Sequence, residues 1–250
     1  MGFTLVAWSK SIDATSLTAL DALADQHVRT QGPDIIVPRD YNKILFVAAV
    51  GSNVTAAQLQ SPSLRRRTNL DISPILRSSQ SDSLVPVFSS YIGNPIALES
   101  DEALDALATE DAAGASRVTV VAALADGEPS PASGDIFTVK ASSTNAATAY
   151  TWTNVQLTFS QSLPAGTYQV VGFRHESTTG IAARLVFVGG RWRPGVISAV
   201  TASTTRETPF RNGLIGVYGE FRHNTPPTVD VLCGGADASH TFYFDLIKIG

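Results

Sequence analysis

An all-β fold with two short helices is what this 250-residue sequence predicts, and three observations carry that expectation. Short runs of β-branched and aromatic residues are punctuated by Gly, Pro, Asn and Asp, the pattern of strands joined by turns. Apolar and polar side chains alternate in Val155-Gln156-Leu157-Thr158-Phe159 and in Phe242-Tyr243-Phe244-Asp245-Leu246, as a sheet with one buried face requires. Charged residues make up only 16% of the chain, against about 25% in a typical globular domain, so Ser, Thr, Asn, Gln and backbone supply most of the surface. With 44% hydrophobic residues and one Cys, this composition excludes a disordered chain, a coiled coil and a disulfide scaffold.

Taken in order, the first half predicts strands at Phe3–Trp8, Asp34–Val37, Lys43–Val50, Leu84–Phe88, Pro95–Leu98 and Arg117–Leu124. Two helices interrupt them. Residues Thr15–Gln26 place Leu17, Leu20 and Leu23 three apart with Asp21 and Asp25 on other faces, the spacing of a short amphipathic helix. Ser100 stands as an N-cap before Asp101 and Glu102, whose charge suits a helix N-terminus. That helix runs to Glu110 with Leu104 and Leu107 as its apolar stripe.

The segment Gly127-Glu128-Pro129-Ser130-Pro131-Ala132-Ser133-Gly134 is the clearest breaker in the chain. Beyond it come eight strand candidates: Ile136–Ala141, Thr151–Phe159, Thr167–Arg174, Ala182–Val188, Gly195–Ala199, Leu214–Glu220, Val229–Leu232 and His240–Ile249. Eight strands at this spacing fit a β-sandwich or jelly roll. The chain therefore reads as two compact barrels. Residues 1–127 form an N-terminal β-rich barrel with the two helices, and residues 128–250 an eight-strand jelly roll. One elaborated barrel with an N-terminal extension is the alternative.

The charge balance of −4 gives no basic excess of the kind that drives phosphate neutralisation, so direct sequence-specific nucleic-acid binding is not expected. Residues Met1–Trp8 lack a basic n-region and a full-length h-region, which argues against a signal peptide. The longest apolar run, Ile44–Val50, falls far short of the ~20 residues of a membrane-spanning helix. Val6 stands where a myristoylation signal has Ser or Thr. Cys233 has no intrachain partner, and its place beside Leu232 at a strand end implies burial.

Catalytic templates are absent: there is no G-x-S-x-G, P-loop, H-E-x-x-H or C-x-x-C. In Arg174-His175-Glu176 the neighbouring residues point to opposite faces of a strand and do not converge on a metal. His175 is expected to end a strand and to hydrogen-bond in a loop. A cupin-type metal site would need a second nearby His. The pairs His240 with Asp237 and His223 with Glu220 have the spacing that chance also produces, so structural roles are expected for them. Glu99, Asp101, Glu102, Asp105, Glu110 and Asp111 read as the solvated face of the second helix rather than as paired catalytic acids. No catalytic residue, metal site or cofactor is expected.

The remaining candidates are surface groups. Arg65-Arg66-Arg67 is the only basic run and suits bidentate pairing across an interface between subunits. Trp192 and Arg193, in Arg191-Trp192-Arg193-Pro194-Gly195, are further interface candidates. Tyr150, Trp152 and Trp192 could alternatively form a sugar-stacking platform. Asn53-Val54-Thr55 is a formal glycosylation sequon, read as chance. Low charge reduces like-charge repulsion between packed copies, which makes self-assembly the leading expectation.

The stretches Leu163-Pro164-Ala165-Gly166-Thr167-Tyr168, Ala182-Ala183-Arg184-Leu185-Val186-Phe187, Trp192-Arg193-Pro194-Gly195 and Tyr243-Phe244-Asp245-Leu246 resemble the jelly-roll coat proteins of icosahedral viruses. The first half, with Gln60-Ser61-Pro62-Ser63-Leu64-Arg65 after a buried strand, resembles the first barrel of a two-barrel capsid protein. The likeness is one of architecture. It implies a major capsid protein of a phage or archaeal virus, with or without an internal lipid membrane, forming homotrimers or larger capsomers alongside other virion proteins. Synthesis in the host cytoplasm and residence in the virion follow from that resemblance. A carbohydrate- or receptor-binding module of a spike or fibre is the alternative, and a β-sandwich enzyme without a recognisable motif is the third reading.

Overall fold

The computed structural model describes residues 1–250 except 26, 52, 68–69, 73–86, 111–113 and 201–208. Strand makes up 52% of it and helix 3%, so the fold is all-β, with curled antiparallel sheets of jelly-roll type. The chain divides into two compact units, Val6–Asp126 and Gly127–Gly250, and residues Met1–Leu5 group with the second. Among the described residues no helix is long and apolar enough to cross a membrane.

The first unit comprises β1 (Phe3–Ile12, shared with the other unit), β2 (Thr18–Ala19), β3 (Thr30–Gln31), β4 (Asp34–Ile36), β5 (Lys43–Val50) and β6 (Val54–Gln60). It continues with α1 (Pro62–Arg67), β7 (Leu70–Ile72), β8 (Val87–Ser90), β9 (Ile96–Ala97), β10 (Ala103–Glu110) and β11 (Ser116–Ala125). One sheet has the order β1-β11-β5-β8, with β9 also on β5. The other has the order β3-β4-β10-β6-β7, with β2 also on β10. Central strands β5 and β11 are buried along nearly their whole length, which is why they read as continuous apolar runs rather than as alternation.

Both predicted helices of this half are overturned. Residues 15–25 hold no helix: Ala19 pairs with Leu107, Ala22 bridges to Trp8, and Leu20 and Leu23 donate their backbone N–H to Ala106 and Ala7. Leu17 is 45% exposed while Leu20 is fully buried, so the leucines share no face. A helix of about a dozen residues is marginal without tertiary support, and here the backbone finds better partners in strands on either side. Gln26 lies outside the described residues.

The second expected helix, Ser100–Glu110, is strand β10, in which Leu104, Ala106, Ala108 and Glu110 are buried at every second position. It is flanked by β4 and β6, so its N–H and C=O groups are consumed by ladders. Ser100 caps no helix; its hydroxyl donates to the Arg39 carbonyl. Asp101 instead turns the chain in the left-handed region at φ 62°. The helix present among the described residues is α1. Pro62 opens it, where a missing N–H costs nothing, and the Ser61 hydroxyl accepts from Leu64 N at 3.2 Å as an N-cap.

The second unit comprises β12 (Ile136–Ser143), β13 (Thr153–Val155), β14 (Thr158–Phe159), β15 (Thr167–Ser177), β16 (Gly180–Val186) and β17 (Gly195–Ile197). Strands β18 (Ala199–Val200), β19 (Gly219–Arg222), β20 (Thr228–Cys233) and β21 (His240–Lys248) complete it. Its sheets have the orders β14-β12-β21-β15-β18, with β19 also on β15, and β13-β20-β16-β17. The run Thr151–Phe159, expected as one strand, splits at Gln156-Leu157: β13 joins the four-stranded sheet and β14 the six-stranded one. Alternate residues of β15 and β21 stack an aromatic column inside this unit. Phe173 lies 5.9 Å from Phe242 with rings nearly parallel and 5.0 Å from Phe244. Residues 3–5 are also sealed into this unit: Leu5 N donates to Arg193 O at 2.9 Å, and Phe3 meets Tyr218 edge to face at 5.0 Å.

Candidate functional site, a buried histidine pair

The periods of β15 and β21 decide which polar groups enter the core of the second unit. Phe173, His175 and Ser177 share the inward face of β15, and His240, Phe242 and Phe244 that of β21. Register places His175 opposite Phe242, so the two histidines are diagonal neighbours. His175 therefore lies within a strand and not in a loop, a correction that follows from β15 continuing to Ser177. Neither imidazole has access to water: His175 is 0% and His240 1% exposed.

The two rings are bonded directly, His175 Nε2 to His240 Nδ1 at 3.2 Å. On the far side of His175, Nδ1 meets Ser198 Oγ at 2.6 Å, and on the far side of His240, Nε2 donates to the Asp237 carbonyl at 3.1 Å. His175 also stacks on Phe242 with 4.9 Å between ring centres. Burial first, and then the neighbouring His240, push His175 down to about 3, so the ring is neutral at ordinary pH. The Asp237 side chain does not face the pair as a base would. Its oxygens accept from Thr179 N and Ser239 N, both at 3.0 Å. Burial opposes ionisation of Asp237, but those backbone hydrogen bonds outweigh it and hold the carboxyl below its ordinary range. Cys233, fully buried nearby, is pushed up to about 12, chiefly by burial, and is an inert thiol.

Ser198, His175 and His240 have the spacing of a nucleophile, a base and a positioning group. Ser198 is only 2% exposed, however, and Gly180 of β16 closes over the cluster: a Cβ there would lie 3.0 Å from Ser198 Cβ and 3.1 Å from His175 Cε1. An external substrate has no approach to that hydroxyl. Among the described residues no three His, Cys, Asp or Glu groups are arranged to hold a metal ion. Glu176, adjacent in sequence to His175, points away and pairs with Arg174. His223 is apart from the pair, its Nδ1 accepting from Gly166 N at 3.3 Å. The pair's inward phase was legible in the alternation around Phe242; its partner across the β15–β21 ladder was not, because register is a long-range property.

The predicted surface candidates are largely engaged within their own units. In α1, Arg65 donates to Gln60 Oε1 at 2.7 Å, Arg66 pairs with Glu99, and Arg67 donates to the Ala97 carbonyl. All three remain exposed. Arg193 is buried, donating to the Gly190 carbonyl at 2.6 Å, while its backbone N donates to Thr4 Oγ1 at 3.2 Å. Trp152 is half-buried with the Arg184 guanidinium 4.1 Å over its ring, and Trp192 carries Arg191 at 4.5 Å. Trp152 leads into β13 and Trp192 towards β17, the opposite edges of the four-stranded sheet, which does not join them in one platform. Tyr150 sits at φ 54° in the turn before β13, its N–H donating to Cys233 O at 2.7 Å.

The acidic group is dispersed. Asp101 pairs with Arg39 at 2.8 Å, Glu102 accepts from Ser63 N at 2.9 Å, and Glu110 bonds Ser116. Asp105 is raised to about 6 by burial and by the neighbouring Asp34. Asp111 lies outside the described residues.

No family model matches the sequence, and no curated protein does. Among solved structures the chain is similar to the STIV MCP, a major capsid protein, with a TM-score of 0.28 and 10% identity, covering 97% of this chain and 97% of that one. It is similar also to the PBSX exported protein XepA, with a TM-score of 0.25 and 9% identity, covering 96% of this chain and 85% of that one. Both alignments run nearly end to end, yet at these scores they amount to a loose likeness of architecture and carry no argument about activity.

Proposed function

We propose that this chain is a non-catalytic structural subunit that assembles with copies of itself into a viral coat. The observation that supports the reading best is the tandem of two all-β units in one chain, each with its own two sheets and its own core. Sparse charge suits close packing of copies, and Val188, 84% exposed, is an apolar group that such a contact would cover. The one nucleophile–base geometry described above is sealed from substrate, so structural use of its polar groups is the economical account.

Light scattering coupled to size exclusion, followed by negative-stain imaging across salt and concentration, tests the proposal. Trimers, rings or shells are the expected result, and Val188→Asp is expected to shift the mass distribution towards monomer while circular dichroism stays unchanged. A strict monomer at high concentration overturns unaided assembly. Glycan binding lost on Trp152→Ala or Trp192→Ala, at unchanged mass, would favour the carbohydrate-binding alternative.

A further inference from the structure

Ser198, His175, His240 and the Asp237 carbonyl form one line of hydrogen bonds buried in the second unit. Its far end is a carbonyl, which can only accept. His240 therefore carries a proton on Nε2 and, when neutral, presents Nδ1 as an acceptor. His175 then donates from Nε2 and receives the Ser198 hydroxyl proton at Nδ1. With both rings neutral, all four ring nitrogens are satisfied and the direction of every bond is fixed.

An added proton breaks this economy. A single one reverses the Ser198 bond, so that His175 donates from Nδ1 and the hydroxyl accepts, and it leaves one of the two rings an imidazolium. A second sets two N–H groups face to face across 3.2 Å. Either state places a buried cation beside Phe242, where β16 comes so close at Gly180 that a Cβ would already be crowded.

Among the described residues, the ionisable group acting on the pair is Asp237, from the turn before β21, while Cys233, at the end of β20, lies against Ser177, Thr179 and Asp237. Asp237 offers partial compensation, but its oxygens are committed to backbone N–H groups. On β15, Arg174 and Glu176 pair with each other. On β16, Arg184 pairs with Asp230, and on β21, Asp245 is held by Arg211. Lys140 of β12 and Lys248 of β21 are exposed, and β17 and β18 bring no ionisable residue.

We propose that the His175–His240 pair is an acid-operated latch: neutral, it ties β15, β21 and the Ser198 segment together, and protonation opens the second unit while the first stays closed. The direction follows from linkage. Unfolded imidazoles take a proton below about pH 6.5, whereas folded His175 resists it down to about 3. The stabilisation is thus fully present above about pH 6.5 and is lost as pH falls through that window. One such group costs about tenfold in the folding equilibrium per pH unit. Asp237 and Asp245, held low in the folded state, act in the same direction only below about pH 4. Within the second unit, the interval from about 6.5 to 4.5 therefore isolates His175 from these carboxylates.

Hydrogen exchange of the full chain at pH 6.5, 5.5 and 4.5, corrected for intrinsic rates and read by mass spectrometry, tests the latch. Peptides covering 167–177 and 240–248 are expected to lose about tenfold in protection per pH unit, while those covering 43–50 and 116–125 lose none. A triple variant, His175→Phe, His240→Gln and Ser198→Ala, is expected to abolish the loss in 167–177 and 240–248 over this range. Equal losses in both units, a flat profile, or a loss that persists in the folded variant overturns the proposal. Should the variant not fold, imidazole NMR of the unmodified chain decides: folded His175 is expected not to titrate above pH 5, and a folded-state midpoint near 6.5 overturns the latch.

Discussion

Asp245 shows how one residue organises its surroundings. Fully buried on β21, its carboxylate accepts from Arg211 Nε at 2.6 Å and Nη2 at 2.8 Å, from Asn212 N at 2.9 Å and from Thr138 Oγ1 at 2.7 Å. Burial alone would raise this carboxyl; the hydrogen bonds, Arg211 foremost, outweigh it and keep the group ionised. The β15–β21 ladder slips between Val170 and Gly172 at this point, and Gly172 is required because a Cβ would come within 2.9 Å of Asp245 Cβ. Arg211→Ala, which strands the charge, is expected to cost about 3–5 kcal/mol in urea unfolding of residues 127–250. Asp105 behaves oppositely. Raised to about 6 by burial and Asp34, it stabilises the folded state at low pH and loses that contribution as pH rises from about 4 to 6. Asp105→Asn is therefore expected to raise the unfolding free energy measured with urea at pH 7 by about 1 kcal/mol once partial exposure is discounted, and to leave it unchanged near pH 3.5. Neither carboxylate announced its environment in the sequence, because Arg211 and Asp34 are brought to them by packing.

At the scale of elements, legibility tracked how a strand is buried. Lys43–Val50 was read with its observed bounds because its apolar run is bracketed by Asn42 and Gly51. β10 was missed because Ala103-Leu104-Asp105-Ala106-Leu107-Ala108 contains good helix formers with leucines three apart, and only its position between β4 and β6 makes it extended. α1 was missed for the converse reason: six residues are too few to show a period, and its signal was the cap, Ser61 before Pro62. Glu102 secures that helix from outside, accepting from Ser63 N, from Ser63 Oγ at 2.6 Å and from Glu99 N at 3.0 Å. Glu102→Ala is expected to cost about 1–3 kcal/mol locally and to speed tryptic cleavage after Arg65, Arg66 and Arg67 relative to sites elsewhere.

For the whole molecule, the breaker at 127–134 was legible, and the assignment of residues 1–5 to the second unit was not. Nothing in Phe3-Thr4-Leu5 distinguishes it from the strand it continues into. Phe3 and Leu5 are at most 1% exposed there, and Arg184 Nη1 donates to the Leu5 carbonyl at 3.3 Å. Phe3→Ala is expected to lower the stability of residues 127–250 by about 3–5 kcal/mol, with exchange protection falling in 167–177 before it falls in 43–50.

That assignment has a consequence for synthesis on the ribosome. Thr4 leaves the exit tunnel well ahead of its partner Arg193, which lies 189 residues further along the chain. The contacts of Phe3 and Leu5 to Tyr218 and Arg193 must wait while everything up to those partners is translated, and a chaperone that binds short extended apolar peptides would find the segment there. The second unit thus completes its core with a segment translated long before the rest of it.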